Sequence, residues 1–313
     1  MTAAPTRPLA SSPTRRWLRP RYWRAWLPLL ALRTVALLPL SLSRGLGALL
    51  GAIMYSANAK RRRIARVNLA LCFPELDDKE RARLLRRHFR VAGQSYLDVA
   101  FLAWASERRF RRKVRVVGLE HLREALARGR RVILLAPHCL GMNVGGVAVS
   151  REVRVFSMVK LQRQPLVDWL LQKVRTRYGA PLVAREQGLR PVLRQLAQGL
   201  VFYYLPDEDF GPRRSVFAPF FGVPTATLPT LGRLAELAQA DVIPCFTRLL
   251  PGGRGYEVVL DPPLPRFPTG DPVADAARMN EALERGIRRM PEQYMWTLRL
   301  FQTRPHGAPS PYA

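Results

Sequence analysis

The period of hydrophobic and polar positions changes along the 313-residue chain. From Ala25 to Ala59 the sequence is almost continuously apolar, broken by Pro28, Arg33, Pro39 and Arg44. No uncharged run there reaches the ~18 residues of a simple spanning helix. Over residues 76–105 apolar positions recur at helical spacing, and Asp77 and Asp78 stand near the start, where acids suit the helix dipole. His88 falls among arginines on this helix and is expected on a solvated face.

From about residue 113 short β-rich runs alternate with helical ones. Strands are predicted at 114–118, 131–137, 153–159, 181–185, 200–206, 241–247 and 256–262. Helices are predicted at 120–129, 165–179, 188–199, 228–240 and 274–290, several of them closed by Gly. Such alternation predicts an α/β fold: a mostly parallel sheet flanked by helices. The composition shifts divide the chain into a flexible basic N-terminus (1–24), a membrane-associated helical anchor (25–63) and an α/β domain (64–313).

Charge narrows the partners. Lys and Arg number 51 against 23 Asp and Glu, a net charge of +28. That field favours nucleic acid, an acidic carrier protein or an anionic membrane surface. No zinc spacing, RNP-like strand or helix-turn-helix pattern supports nucleic acid. Trp17, Trp23 and Trp26 stand among arginines, and Lys60–Arg63 close the apolar stretch. Basic residues on both flanks put both on the cytoplasmic side, which suits a helix lying in the interface or a shallow hairpin. A pair of amphipathic core helices is the plainer alternative. The three cysteines are far apart, and neither a disulfide framework nor a metal site is expected.

The candidate chemistry begins at "RVILLAPHCLGMNVGG", residues 131–146. His138 directly follows an apolar strand, and ligands of open α/β sheets gather at strand carboxyl ends. A histidine there is placed for proton transfer near neutral pH. Asn143, five residues on, would lie ~140° away on a regular helix, so the two meet only across an irregular turn. Cys139 is expected to be a small buried residue. A second cluster, "YYLPDEDFGPRRSVFAPFFG" (203–222), ends a strand in Asp207, Glu208 and Asp209, then offers Arg213 and Arg214. Arginine forks suit phosphate or carboxylate; an ion-paired loop is the bland reading. Phe217, Phe220 and Phe221 suggest an apolar ligand beside a charged one. Tyr294 and Trp296 are expected to serve packing.

Taken in order, "PRYW", "NLALCFPEL", "GLEHLREALARGRRVILLAPH", "PDEDFGPRRSVFAPFFG" and "MPEQYMWTLRLFQTRP" resemble the bacterial lipid A late acyltransferases, the lauroyl/myristoyl acyltransferase family, from residue 20 to about 305. The resemblance implies a glycerolipid-acyltransferase-like α/β fold at the cytoplasmic face of the bacterial inner membrane. It implies transfer of a fatty acyl chain from acyl carrier protein to a hydroxyl of a hydroxyacyl chain on a Kdo-bearing lipid A precursor, with no metal and no cofactor. The family's His-x-x-x-x-acid dyad maps onto His138 and Asn143. The amide is a departure: it can accept a ring N–H bond and fix the tautomer but carries no full charge, and another acid, Asp207 or Asp209, is also available for recruitment. Arg185 matches the family's basic residue and is the expected oxyanion donor. Lys160, where the family often shows Arg, joins Asp207, Asp209, Arg213 and Arg214 as expected substrate-binding residues. Gln164 replaces a frequent Asn. Another lipid acceptor, such as a lysophospholipid or ornithine lipid, and an inactive membrane-bound homologue are the alternatives.

Overall fold

A computed structural model describes residues 23–312. The expected flexible N-terminus, with Trp17, falls almost wholly outside them. Among the described residues the helices are α1 (Trp23–Val35), α2 (Leu40–Ala57), α3 (Ala59–Cys72), α4 (Asp78–Trp104), α5 (Glu107–Lys113), α6 (Leu119–Ala127), α7 (Met142–Glu152), α8 (Pro165–Arg175), α9 (Arg190–Ala197), α10 (Thr230–Ala238) and α11 (Pro272–Arg288). The strands are β1 (Val114–Val117), β2 (Arg131–Leu135), β3 (Val155–Val159), β4 (Leu182–Ala184), β5 (Val201–Tyr204), β6 (Val216–Phe220), β7 (Val223–Thr227), β8 (Ala240–Leu250) and β9 (Gly255–Leu260).

Seven strands form one sheet in the order β1-β9-β8-β2-β5-β3-β4, parallel at every pairing except β8 with β9. β2 and β5 are buried along most or all of their length, as parallel strands covered on both faces must be. One core lies on the face that carries α3, α9, α10 and α11. The other lies under α6 and α7. The aromatic stretch after Arg214, over which no strand is predicted, forms the antiparallel hairpin β6–β7, in which Pro219 opposes Pro224. Two prolines hid this strand pair, since proline is tolerated only where no ladder donor is needed.

The 76–105 helix is present as α4, closed at its start by a capping box between Asp77 and Glu80. His88, however, is 1% exposed and packs edge-on to Phe89, so it faces the core rather than solvent. Around it the helix is covered by α3 and by the segment 291–293, coverage that no local pattern announces. The boundary expected after residue 63 falls inside α3.

α2 packs on α4 through glycine. A Cβ at Gly51 would stand 2.1 Å from the Phe89 carbonyl oxygen, and one at Gly93 would stand 2.2 Å from that of Gly47. Beside this contact Arg44 Nη1 meets Asp98 Oδ1 at 2.8 Å, and Tyr256 donates to the same oxygen at 2.5 Å. Ser43, Arg44, Gly47 and Gly51 of α2 thus turn inward. Leu42, Leu46, Leu49 and Ile53 point outward, with Trp23, Leu27, Leu30 and Leu37 of α1 and the turn after it also exposed. No described helix is long and apolar enough to cross a membrane.

Candidate active site

β2 and β5 are neighbours, and Leu135 pairs with Tyr204. Three residues beyond that pair lie His138 on one strand and Asp207 on the other. The register therefore delivers them to the same spot above the sheet. Asp207 Oδ1 lies 2.6 Å from His138 Nδ1, and Oδ2 accepts the His138 backbone N–H at 2.8 Å. Oδ2 also accepts the Tyr294 hydroxyl at 2.9 Å. An ionised carboxylate can only accept, so the ring proton sits on Nδ1 and the Nε2 lone pair is left for a reacting group.

The loop that carries His138 is clamped by the C-terminal segment. Leu140 N–H donates to the Gln293 carbonyl at 2.7 Å, and Met295 N–H donates to the His138 carbonyl at 3.0 Å. Tyr294 and Trp296 are fully buried, as a packing role requires. Tyr294 does more than pack, because its hydroxyl fixes the second oxygen of Asp207.

Burial disfavours the imidazolium of His138, but the charge and hydrogen bond of Asp207 and the charge of Glu208 outweigh it, so the ring titrates above its ordinary value. Burial likewise pushes the Asp207 carboxyl up, and its bonds to His138 and Tyr294 overcome that and hold it below the usual range. Cys139 is buried, and burial drives its thiol up to about 12. A thiol so far from ionising is no nucleophile, in keeping with the structural role expected for it.

Asn143 is not the partner of the His138 ring. The turn after Pro137 leads into α7, Asn143 lies in its first helical turn, and its Oδ1 accepts from Arg175 Nε at 3.1 Å. Arg175 carries no signal of its own in the sequence: it reads as the end of an amphipathic helix. Its guanidinium is pushed below its ordinary value by burial, with the Asp168 carboxylate acting against that.

His138 opens on a cavity of about 550 Å³ whose walls include Asn143, Gly146, Val147, Val155, Met158 and Arg175. That volume is ample for a small organic ligand or a lipid chain. Lys160, Arg185, Glu208, Phe210 and Arg214 line the same cavity. Arg185 Nη1 is 3.1 Å from Glu208 Oε2, and its guanidinium lies 4.0 Å from the Phe210 ring centroid. Glu208 Oε1 is 3.8 Å from His138 Nε2.

Other expected residues are placed elsewhere. Asp209 accepts from Gly211 N–H at 2.8 Å and from Thr303 N–H and Oγ1 at 2.6 and 2.9 Å, so its oxygens tie the loop to the C-terminal segment. Arg213 is exposed and does not line the cavity. Phe220 and Phe221 join Tyr294 and Trp296 in the core and do not border the cavity, where Phe210 stands instead. Gln164 caps α8 by accepting from Val167 N–H at 2.8 Å. Among the described residues no cluster of His, Cys, Asp and Glu is suited to a metal ion.

Comparison with known proteins fits this site. The profile of the bacterial lipid A biosynthesis acyltransferases matches residues 12–303. A lipid A biosynthesis acyltransferase of Haemophilus influenzae is 36% identical, over 93% of this chain and 91% of its own length. The lipid A biosynthesis lauroyltransferase of Escherichia coli is 35% identical, over 94% of this chain and 96% of its own. The myristoyltransferase of the same organism is also 35% identical, over 94% and 91%. With a family match over nearly its whole length, the chain belongs to the bacterial lipid A biosynthesis acyltransferases.

Proposed function

We propose that this protein moves a fatty acyl chain from the thioester of acyl carrier protein to a hydroxyl of a hydroxyacyl chain on a Kdo-bearing lipid A precursor, with His138 as general base. The observation that carries the reading is the His138–Asp207 pair, with Nε2 turned to a partly apolar cavity in a chain of this family. Nε2 takes the proton of the acceptor hydroxyl as its oxygen attacks the thioester carbonyl carbon. The new C–O bond creates an oxyanion, and the Arg185 guanidinium on the cavity wall stabilises it. Collapse breaks the C–S bond, and the departing sulfur takes the proton back from Nε2. Asp207 stays ionised throughout and supports the imidazolium. Lys160 and Arg214 supply positive charge for the phosphates of the acceptor or the acidic donor.

The reading also puts the protein on the cytoplasmic face of the inner membrane. α2 exposes Leu42, Leu46, Leu49 and Ile53 along one stripe while Gly47, Gly51 and Arg44 face the protein. A soluble helix has the opposite polarity, so this stripe fits lipid tails. β8 outruns β2 beyond its carboxyl end, and the turn at its tip meets the start of α2, where a Cβ at Gly253 would stand 2.6 Å from Ser41 N. The apolar stripe and the cavity therefore belong to the same end of the sheet. That arrangement brings a membrane-held acceptor to His138.

The test is a mass-spectrometric assay in detergent, with the Kdo-bearing lipid A precursor and a panel of acyl-carrier-protein thioesters. One added acyl mass, lost in His138→Ala, is the expected result. Product formed only on a lysophospholipid or an ornithine lipid would change the acceptor. No product with any donor from folded protein would overturn the reading.

A further inference from the structure

Glu208 stands where the reaction must occur. The two oxygens of Asp207 are fully engaged by His138 and Tyr294, and its side chain is 5% exposed. The carboxylate of Glu208 is held differently. It spans from 3.8 Å off His138 Nε2 to 3.1 Å off Arg185 Nη1. An attacking hydroxyl needs its oxygen within ~2.6–3.2 Å of the base. The oxyanion that follows needs the guanidinium. One carboxylate thus fills both places.

We propose that Glu208 is a guard carboxylate: in the free protein it stands between His138 Nε2 and Arg185, where the reacting hydroxyl and the oxyanion must sit, and it swings aside when substrate binds. The proposal rests on the acyl-transfer reading of the same site. Glu208 is free to leave, with 36% of its side chain exposed and Arg185 as its closest ion-pair partner. Arg185 stays behind, because the Phe210 ring lies against its guanidinium at 4.0 Å.

The departure changes the base. While Glu208 is near Nε2, His138 has two carboxylates against it and holds a proton more tightly. When Glu208 leaves, one negative neighbour is lost and the ring gives up its proton more readily. Binding and activation of the base are thereby coupled. The other charged and titratable groups around the ring do not supply this. Arg185 acts against the proton, and Lys160, Arg175 and Arg214 are cations on the cavity wall. Cys139, Tyr203, Tyr204 and Tyr294 are buried and held neutral by burial. Asp207 is anchored.

The experiment compares Glu208→Gln with the wild type in two readouts. The pH profile of kcat/KM reports the free enzyme and that of kcat reports the bound complex. The acid limb of kcat/KM is expected to move down by ~0.5–1 pH unit, because a nearby opposite charge no longer favours the imidazolium. The acid limb of kcat is expected to stay in place, and KM for the acceptor to fall several-fold. In the free protein, the His138 imidazole followed by NMR is expected to titrate lower by the same amount. Equal movement of both limbs would mean that Glu208 remains beside the base during catalysis and would overturn the proposal. So would unmoved limbs and an unmoved imidazole, which would make the residue an ion-paired loop element. If the wild type transfers no acyl chain at all, the functional reading falls separately. The imidazole titration then decides on its own whether Glu208 holds the proton on His138.

Discussion

Replacing Asp207 by Asn should cost far more rate than removing the Asn143 side chain. Asp207 accepts three hydrogen bonds, from His138 Nδ1, the His138 backbone N–H and the Tyr294 hydroxyl. In Asp207→Asn the amide would have one carbonyl oxygen for three donors. Its N–H2 would face Nδ1 and favour the tautomer with the proton on Nε2, which cannot accept the hydroxyl proton. The imidazolium would also lose its charged support. In a triad of the same logic this change costs ~10⁴ in kcat; three to four decades correspond to about 4–5 kcal/mol of transition-state stabilisation. Asn143→Ala removes one hydrogen bond to a guanidinium and leaves the ring untouched. A bond to a charged group is worth ~1.5–3 kcal/mol, so at most ~160-fold is expected. Initial rates of acyl transfer at saturating substrates measure both, with thermal unfolding to confirm that each variant is folded. If Asn143→Ala lost as much kcat as Asp207→Asn, the pairing of His138 with Asp207 would not be what activates the base.

Four further predictions follow from packing and charge. Burial holds the His88 imidazole at about 4, whereas in the unfolded chain it protonates near ~6.5, so its contribution is complete above pH ~6.5 and is lost as the pH falls toward 4. Urea unfolding of the wild type should therefore lose about 3 kcal/mol more than His88→Phe over that range. Gly51→Ala should destabilise by ~2 kcal/mol or more in denaturant unfolding, because its Cβ would stand 2.1 Å from the Phe89 carbonyl. Gly146→Val should shift the preferred donor to a shorter acyl chain in the thioester panel, because Gly146 lines the cavity and its Cβ would meet the Tyr203 ring at an ordinary 3.6 Å. Leu46→Asp combined with Leu49→Asp should abolish cosedimentation with anionic vesicles and leave the melting temperature unchanged, since both side chains face outward.

Much of the fold could be read along the chain. The runs that became β2, β5 and β8 are short and apolar, and α8 and α9 keep a helical period and are followed by Gly179 and Gly199. These are local signals, set by side-chain spacing and backbone conformation within a few residues. The strand after Arg214 escaped because Pro219 and Pro224 look like loop residues until they face each other in a hairpin edge. His88 escaped because its burial depends on α3 and the 291–293 segment closing over α4.

The sequence by itself determined the family, the α/β alternation and the place of His138 at the end of an apolar strand, because each is written in contiguous residues. It could not determine which side chain serves the histidine. Asn143 is near in sequence, but α7 carries it toward Arg175. Asp207 is 69 residues away, and it arrives because β5 inserts between β2 and β3 with Leu135 opposite Tyr204. Strand order and register are set by how whole faces of the sheet are buried, a non-local balance. Only the tertiary structure could therefore decide that the carboxylates of Asp207 and Glu208 flank the two nitrogens of one ring.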